Sequence, residues 1–251
     1  MNDNQTYNKL ADMRLYGMMN LNQRFNENPH VMPSIPQEYF ASMVDAEYHD
    51  RNHRKQLRLM KNAKLKYTNA FLEDFDFSID RGVSRQLIGW LCGLSWLDKK
   101  QNLIITGPTG SGKSHTACGA GNNAIRAGHS VLYKRVPRFC EELEVAHGDG
   151  SLPSLRAKIQ KFHLLILDEW AVSPLTPRAR LDLLEIIEDR AGSGSLIVTS
   201  QMPVEQWHSF IGEPTIADAI LDRIVHRSHK IELRGESMRK LKESVQEVRH
   251  V

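Results

Sequence analysis

Eight consecutive residues, Gly107 to Ser114, have the composition of a phosphate-binding loop. Their sequence, GPTGSGKS, fits the pattern G-x-x-x-x-G-K-[ST]. Glycines allow a tight curl whose N–H groups point inward, and the N-terminus of a following helix adds positive potential. Lys113 can contact the terminal phosphates, and the Ser114 hydroxyl can bind Mg²⁺. The residues predicted to bind the nucleotide are Gly107, Pro108, Thr109, Gly110, Ser111, Gly112, Lys113, Ser114 and His115.

Two adjacent carboxylates, Asp168 and Glu169, follow the apolar run LLIL. A carboxylate at the end of a buried strand can hold a magnesium ion, and a second one can polarise the attacking water. We therefore predict that Asp168 is a metal ligand and that Glu169 is the general base. Two solvated carboxylates at a strand end are the simpler alternative, which the upstream loop disfavours.

Another apolar run ends in Thr199, Ser200 and Gln201. One complete strand lies between the loop strand and the Asp168 strand, an order that resembles the ATPase branch of P-loop proteins. In that branch a polar residue at this strand tip senses the γ-phosphate, and we predict Ser200, with Thr199 and Gln201 as neighbouring candidates. A simple turn is the alternative. No N-K-x-D motif for guanine follows, so adenine is the expected base.

The segment ILDRIVHRSH contains two arginines, Arg223 and Arg227. An arginine near a subunit boundary can contact the γ-phosphate held by a neighbour, and such residues contribute about 10³ to 10⁵ in rate. A surface position on an amphipathic helix would explain an isolated arginine equally well. Arg239 is a weaker candidate for a second phosphate sensor.

The elements that must position these residues alternate along the chain from about residue 80. Apolar runs separated by helical patterns predict a parallel α/β sheet. The predicted strands are 102–106, 130–136, 164–168, 195–200 and 229–233. The predicted helices are 113–127, 138–146, 155–161, 177–189 and 216–225, with a charged helix at the end of the chain.

The first 70 residues differ in composition and are predicted to form a separate helical domain, with an ATPase domain at 71–251. Apolar residues between Leu10 and Leu21 recur at helical spacing, prolines interrupt the pattern, and a second helix is predicted at 37–63.

A cationic run extends from His49 to Lys66 and contains one acid, Asp50. Several of its cations fall at helical spacing and would form a positive stripe suited to sequence-independent contact with DNA phosphates. A solvated helix face is the alternative. The candidate DNA-binding residues are Arg51, Arg54, Lys55, Arg58 and Lys61.

The overall composition limits the function classes. The 251 residues carry a formal net charge of +3 and three cysteines without metal-ligand or redox spacing. No apolar run is long enough for a signal peptide or a membrane span. We therefore expect a cytoplasmic protein without a membrane partner.

Four segments together resemble a known family. NLIITGPTGSGKSHTACGAGNNAIRAGHSVLY, LLILDEWAVSPL, IVTSQMPVEQW and AILDRIVHRSHKIELRGESMR look like the IstB-type transposition helper ATPases. These are AAA+ proteins encoded beside a transposase in bacterial insertion sequences and similar to DnaC-type helicase loaders. The resemblance is strong over about residues 80–240.

The resemblance implies an α/β AAA+ P-loop ATPase with a five-stranded parallel sheet sandwiched by helices. It also implies a small helical N-terminal domain. A full AAA+ protein would add a lid of several helices after the fifth strand, but residues 236–251 can supply only one, so we expect the lid to be reduced or absent. ATP and Mg²⁺ would bind at the loop and the carboxylate pair, and Arg223 would be the arginine finger. The implied partners are double-stranded DNA, a cognate transposase and further copies of the chain, with ATP sites at subunit interfaces.

Three other functions remain open at this point. A DnaC-like replicative helicase loader would have the same core and differ in its partner. A DNA-binding scaffold would use ATP only to hold subunits together, which Lys113 and Glu169 disfavour. A small-molecule kinase would need a substrate pocket and lid arginines.

Overall fold

The computed structural model describes the backbone of residues 3–238 and the side chains of residues 5–238. The chain divides into two compact units, Met1–Arg58 and Leu59–Val251. The division precedes the boundary predicted at residue 70. The difference arises because Ala63, Leu65 and Ala70 are buried in the core of the second unit.

The first unit is helical. It contains α1 (Asp3–Asp12), α2 (Tyr16–Glu27), a 3₁₀ turn (Pro29–Val31) and most of α3 (Pro36–Ala63). Helices α1 and α2 are separate because Arg14 adopts a left-handed conformation, with φ 57°. The buried Glu47 carboxylate of α3 accepts a hydrogen bond from Gly17 N at 2.8 Å. A Cβ on Gly17 would overlap the α3 backbone, so glycine is required for this close packing of α2 on α3.

The second unit is a parallel α/β sheet with helices on both faces. Its strands are β1 (Asn102–Thr106), β2 (Val131–Arg135), β3 (Leu164–Trp170), β4 (Ser195–Ser200) and β5 (Ser228–Glu232). Its helices are α4 (Arg85–Cys92), α5 (Ser95–Asp98), α6 (Lys113–Arg126), α7 (Val136–Gly148), α8 (Leu152–Gln160), α9 (Pro177–Arg190), α10 (Trp207–Ile211) and α11 (Pro214–Val225). All pairings are parallel, in the order β2-β3-β4-β1-β5. The predicted fold class is confirmed.

This strand order brings the predicted chemistry to one edge of the sheet. Strand β4 lies between β1 and β3, and Ser200 is in register with both Thr106 and Trp170. The carboxyl ends of the three strands therefore meet. Ligands of open α/β sheets bind at this edge.

The strand and helix bounds follow the sequence pattern closely, apart from some short helices. Strands β1 and β4 match the predicted bounds, whereas the short helices α4, α5 and α10 were not predicted. Helix α5 has four residues and follows Leu94 in a left-handed conformation, φ 56°, which no periodic pattern encodes. The predicted C-terminal helix and Arg239 lie outside the described residues.

Candidate nucleotide site

The loop Gly107 to Ser114 joins β1 to α6. Gly107, Gly110 and Gly112 have φ angles of 146°, 80° and 98°, which side-chain-bearing residues rarely adopt. Lys113 begins α6, and its Nζ donates to the carbonyl oxygens of Gly107 and Pro108, both at 2.8 Å. The lysine therefore lies folded over the loop, with its ammonium group at the position where phosphate oxygens are recognised.

The segment that follows β5 crosses this loop. Leu233 N donates to Thr106 O at 2.8 Å, and Met238 N donates to Gly110 O at 3.0 Å. A Cβ on Gly107 would overlap the Leu233 carbonyl, and a Cβ on Gly110 would overlap the Ser237 side chain. These glycines are therefore required by the crossing segment as well as by a phosphate, a constraint that the motif alone does not reveal.

Asp168 is fully buried at the end of β3 and accepts three hydroxyl hydrogen bonds. Ser114 Oγ donates to its Oδ1 at 2.7 Å, Thr199 Oγ1 donates to the same oxygen, and the Tyr133 hydroxyl donates to Oδ2. Burial and the neighbouring carboxylate raise the pKa of Tyr133, so this phenol stays protonated as a donor. The contact of Tyr133 with Asp168 was not predicted from the sequence, because it forms only when β2 pairs with β3 in the folded sheet.

The Glu169 side chain points in a different direction from that of Asp168, because the backbone of β3 is distorted at this residue. Its φ is 63°, and the β3–β4 register shifts between Leu167 and Trp170, as at a β-bulge. Its N–H donates to Thr199 Oγ1 at 3.2 Å, which fixes the distorted backbone. The Glu169 carboxylate is therefore turned to the surface beside Asp168, where its side chain is 22% exposed.

Two cations, Arg135 and Lys66, bind the Glu169 carboxylate. Arg135 Nε pairs with Oε2, and Lys66 Nζ lies 3.5 Å from Oε1 and 4.0 Å from Asp168 Oδ2. Neither cation was predicted as a site residue. Lys66 precedes Glu169 by 103 positions, so only the folded chain brings them together.

The donor set fits a magnesium ion bound with a triphosphate. Asp168 and Ser114 supply hard oxygen ligands that lie within hydrogen-bonding distance of each other. Among the residues described, no cluster of three or more His, Cys, Asp or Glu side chains could hold a metal ion by itself. Mg²⁺ suits such a site, because it keeps several waters and binds through one or two protein ligands plus substrate phosphates.

A cavity of about 410 Å³ adjoins the loop. It is lined by Tyr67, Phe75, Arg81 and residues from Gly110 to His115, and the Tyr67 and His115 ring centroids lie 5.7 Å apart. The Arg81 guanidinium lies 3.7 Å from the Phe75 ring centroid, and its burial lowers the pKa of Arg81. Aromatic walls with a few polar groups are typical of small-molecule sites.

Comparison with known proteins identifies the family. The family model described as IstB-like ATP binding protein matches residues 8–246. The chain belongs to this family. It is 44% identical over 235 residues to a Sinorhizobium fredii protein named as an insertion sequence ATP-binding protein (y4pL), covering 94% of this chain and 96% of the relative. It is 31% identical over 202 residues to the protein of Pseudomonas aeruginosa named as the IS21 ATP-binding protein, covering 80% and 76% of the two chains.

Solved structures show the same fold at low identity. The DnaC helicase loader superposes with a TM-score of 0.55 at 15% identity, covering 66% of this chain and 97% of that one. DnaI superposes with a TM-score of 0.57 at 20% identity, covering 66% and 91%. The predicted AAA+ P-loop fold of this IstB-like protein is therefore confirmed. Within the described residues, every helix is too short or too polar to traverse a lipid bilayer.

The hydroxyl of Ser200 is not directed into the site. It is fully buried, donates to Trp170 O at 2.9 Å and accepts from Met202 N at 3.0 Å. Thr199, one position earlier, is the residue that contacts Asp168 and Glu169. The bonds to Trp170 and Met202 engage the Ser200 hydroxyl away from Asp168, and its contact with the γ-phosphate stays a prediction. Leu167 is in register with Val198, so the next residues, Asp168 and Thr199, lie side by side on one face of the sheet. Ser200, one position later, belongs to the opposite face.

This geometry separates two substitutions that each remove one hydroxyl group. Thr199→Val removes a hydrogen bond to a buried carboxylate, and we expect ATP turnover to fall about 10- to 100-fold, equivalent to about 1.5–3 kcal/mol. Ser200→Ala should instead lower the free energy of unfolding by about 1–3 kcal/mol, with turnover per folded molecule within about threefold of wild type. Steady-state hydrolysis and urea unfolding measure both effects. The reverse pattern would restore Ser200 as the site residue.

Arg223 lies at the opposite end of β1 from the phosphate loop. Asn102, the first residue of β1, donates through Nδ2 to Arg223 O at 3.0 Å. The Arg223 guanidinium donates to Ala219 O at 2.8 Å and pairs with Glu188 at 2.6 Å. Because the five residues of β1 span about 13 Å, this guanidinium is remote from the nucleotide site of its own chain.

The basic stripe is less uniformly cationic than its sequence indicates. Arg51 pairs with Glu47 at 2.6 Å, and Arg54 pairs with Asp50 at 2.6 Å. Glu47 lies just outside the run that the sequence analysis considered, and it reaches Arg51 across one helical turn. Over residues 5–238, no carboxylate partner is found for Lys55, Arg58 or Lys61, and all three are exposed.

Proposed function

We propose that this protein is a DNA-dependent ATPase that assists insertion-sequence transposition, assembling on target DNA and recruiting or activating its transposase. The observation that carries the enzymatic part is the contact between Ser114 and Asp168, with Glu169 beside it at the end of β3. Membership of the IstB-like family, whose relatives are named as insertion-sequence proteins, supports the biological context.

The residues of the chain divide the work of ATP hydrolysis. The loop N–H groups and Lys113 bind the phosphates, with Lys113 exchanging its two carbonyl contacts for phosphate oxygens. Ser114 and Asp168 would hold Mg²⁺, which would neutralise charge on the phosphates. Glu169 accepts a proton from water as the water oxygen bonds to the γ-phosphorus. The bond to the bridging oxygen breaks, giving ADP and inorganic phosphate.

A neighbouring subunit completes the site in this proposal. The partly exposed Arg223 side chain lies at the end of the sheet remote from its own phosphate loop, so we expect it to serve a second copy of the chain. ATP would then link subunits, and its hydrolysis would release them. Such an arrangement makes assembly on DNA depend on the nucleotide state, with an arginine finger worth about 10³ or more in rate.

The helix α3 stripe is the proposed first DNA contact. Lys55, Arg58 and Lys61 are exposed and without ion-pair partners in the described part of the chain, so they keep their charge for phosphates. Contact of this kind is independent of sequence and weakens with salt.

Two multiple variants of α3 test this division of the stripe. Lys55→Ala/Arg58→Ala/Lys61→Ala should make the decrease of log affinity with log salt less steep by about three, because three phosphate contacts are lost. Arg51→Ala/Arg54→Ala removes cations that already neutralise Glu47 and Asp50, so its effect on the slope should be smaller. Fluorescence anisotropy with labelled duplex DNA measures both. Equal slopes for wild type and the triple variant would exclude the stripe as a DNA contact.

Replicative helicase loading remains the alternative function. The superpositions on DnaC and DnaI concern the fold alone, whereas the relatives above 30% identity are named as insertion-sequence proteins. Pull-down with transposase and with replicative helicase separates the two functions. The ATPase itself is tested by measuring turnover with and without non-specific duplex DNA, and a scaffold that uses ATP only as a link would show no turnover.

A further inference from the structure

A buried arginine of the ATPase unit, Arg81, lines the cavity beside the phosphate loop. We infer that its guanidinium binds the α-phosphate of the nucleotide, as a second cation besides Lys113. This inference rests on the proposed ATPase, because it concerns the same site. It assigns part of the nucleotide affinity to a residue that precedes β1 and lies outside the phosphate-loop motif.

The charge of Arg81 has little compensation within the protein. The residue is 7% exposed, and its Nη2 donates to Asp76 O at 2.9 Å. Its Nε is buried and has no hydrogen-bond partner in the described part of the chain. Among residues 5–238, no carboxylate oxygen lies within 4.0 Å of the guanidinium. A buried cation is costly unless an anion pairs with it, so these surroundings favour an anionic ligand in the adjoining cavity.

A neighbouring acid, Asp76, is engaged elsewhere. One of its carboxylate oxygens accepts hydrogen bonds from Ser78 Oγ at 2.6 Å and from Ser78 N at 2.9 Å. These bonds lower the pKa of Asp76 and hold its carboxylate in its own turn. Asp76 therefore leaves the ion-pairing capacity of Arg81 available for a ligand.

The Arg81 side chain is held in a fixed position. Its guanidinium lies 3.7 Å from the Phe75 ring centroid, and Phe75 lines the same cavity. The backbone is anchored as well, because Arg234 N donates to Arg81 O at 2.9 Å. A guanidinium that stacks on an aromatic ring keeps its edge free for hydrogen bonds. Arg81 can therefore bind an anion with little further loss of side-chain freedom.

The position of Arg81 along the loop indicates which phosphate it meets. A Cβ on Gly112 would lie 3.2 Å from Arg81 Nη1, so this nitrogen reaches the last loop residue before α6. Lys113 Nζ instead contacts the carbonyl oxygens of Gly107 and Pro108, at the start of the loop. Loop N–H groups bind the α- and β-phosphates, whereas the lysine reaches the β- and γ-phosphates. Arg81 therefore lies at the α-phosphate end of the loop.

The cavity lies on the nucleoside side of the loop. Its lining within the described residues includes Arg81 and His115 but neither Asp168 nor Glu169, the residues assigned to the γ-phosphate chemistry. A volume of about 410 Å³ with aromatic walls suits a nucleoside. A base and ribose in this cavity would place the α-phosphate between Arg81 and the loop.

Substitution of Arg81 tests this contact through a series of ligands. Arg81→Gln should weaken the binding of ATP, ADP and AMP by one common factor of about 10- to 100-fold, because each carries an α-phosphate. Adenosine, which lacks this group, should bind Arg81→Gln and wild type equally. The contact is the same before and during hydrolysis, so KM should rise while kcat stays within about threefold of wild type. Displacement of a fluorescent ATP analogue, without DNA, measures the four affinities.

A second arginine provides the matched control. Arg85 is exposed, its guanidinium lies 4.4 Å from the Phe77 ring centroid, and it is not part of the cavity lining. Arg85→Gln should bind all four ligands as wild type does. Arg81→Lys retains the charge without the planar fork and should weaken the three nucleotides by about three- to tenfold. It provides the same comparison if thermal unfolding shows that Arg81→Gln is not folded.

The outcomes separate this inference from the proposed function. A common factor for the three nucleotides, with adenosine unaffected, supports the contact with the α-phosphate. Equal weakening of adenosine would make Arg81 only a structural wall, and unchanged binding of AMP would place the contact on another phosphate. Either result, or unchanged binding of all four ligands, overturns the inference while the proposed function stands. If wild type binds ATP but its turnover ignores DNA, the proposed DNA dependence fails and the assignment of Arg81 is judged by the ligand series alone.

Discussion

Glu169→Gln should lower ATP turnover by about two to four orders of magnitude while leaving ATP and DNA binding intact. Glutamine has nearly the same shape but cannot accept the proton of the attacking water. The backbone that carries it is held by Thr199, and the phosphate contacts come from the loop and Lys113, so neither depends on the carboxylate. The variant should therefore accumulate as an ATP-bound assembly on DNA.

The measurement is steady-state phosphate release together with equilibrium binding of a fluorescent ATP analogue. Glu185→Gln is a matched control, since Glu185 is an exposed glutamate of α9 that pairs with Arg156 away from the site. Its turnover should equal that of wild type. Retention of more than about a tenth of wild-type turnover by Glu169→Gln would mean that another group is the base.

Arg223→Ala should lower turnover about 10³-fold and leave nucleotide binding unchanged, because in the proposed assembly the guanidinium acts on the site of a neighbouring subunit. Arg223 lies near the start of β1, and the phosphate loop follows the end of that strand. Assembly would have to exchange its pairing with Glu188 for the γ-phosphate of the neighbour. Arg227 is an exposed arginine four residues later, and Arg227→Ala is therefore the matched control. This variant should retain the turnover of wild type.

A mixing experiment shows whether this arginine acts between subunits. Lys113→Ala cannot bind the phosphates normally but supplies Arg223, and Arg223→Ala supplies a complete loop. Mixed subunits should recover part of the wild-type turnover, at a level that depends on protein concentration. No recovery on mixing, combined with normal assembly of both variants, would contradict an arginine finger in trans.

Patterns of local sequence predicted most of the fold. The segments 102–106 and 195–200 are strands with the predicted bounds, because each is apolar on both faces and buried between helices. The phosphate loop was equally predictable, because its glycines, its lysine and the start of the next helix all lie within eight consecutive residues. Both kinds of signal concern neighbours in the chain.

Features that depend on residues far apart in the chain could not be predicted from the sequence. The register of β3 with β4 places Thr199, and not Ser200, beside Asp168, and this register is a property of the pairing and not of either strand's own sequence. Tyr133 meets Asp168 only across the β2–β3 pairing, and Lys66 meets Glu169 only in the folded chain. These contacts join segments far apart in the chain, so no local pattern predicts them. Glu47, in contrast, pairs with Arg51 one helical turn away and lies just before the cationic run.

Control of ATP hydrolysis by DNA is the property that most directly tests the proposed function. Phosphate release by the wild-type protein should be measured over a range of non-specific duplex DNA concentrations, at low and at physiological salt. We expect turnover that rises with DNA and a half-maximal DNA concentration that increases steeply with salt. Turnover that is absent, or that is the same with and without DNA at both salt concentrations, would contradict it.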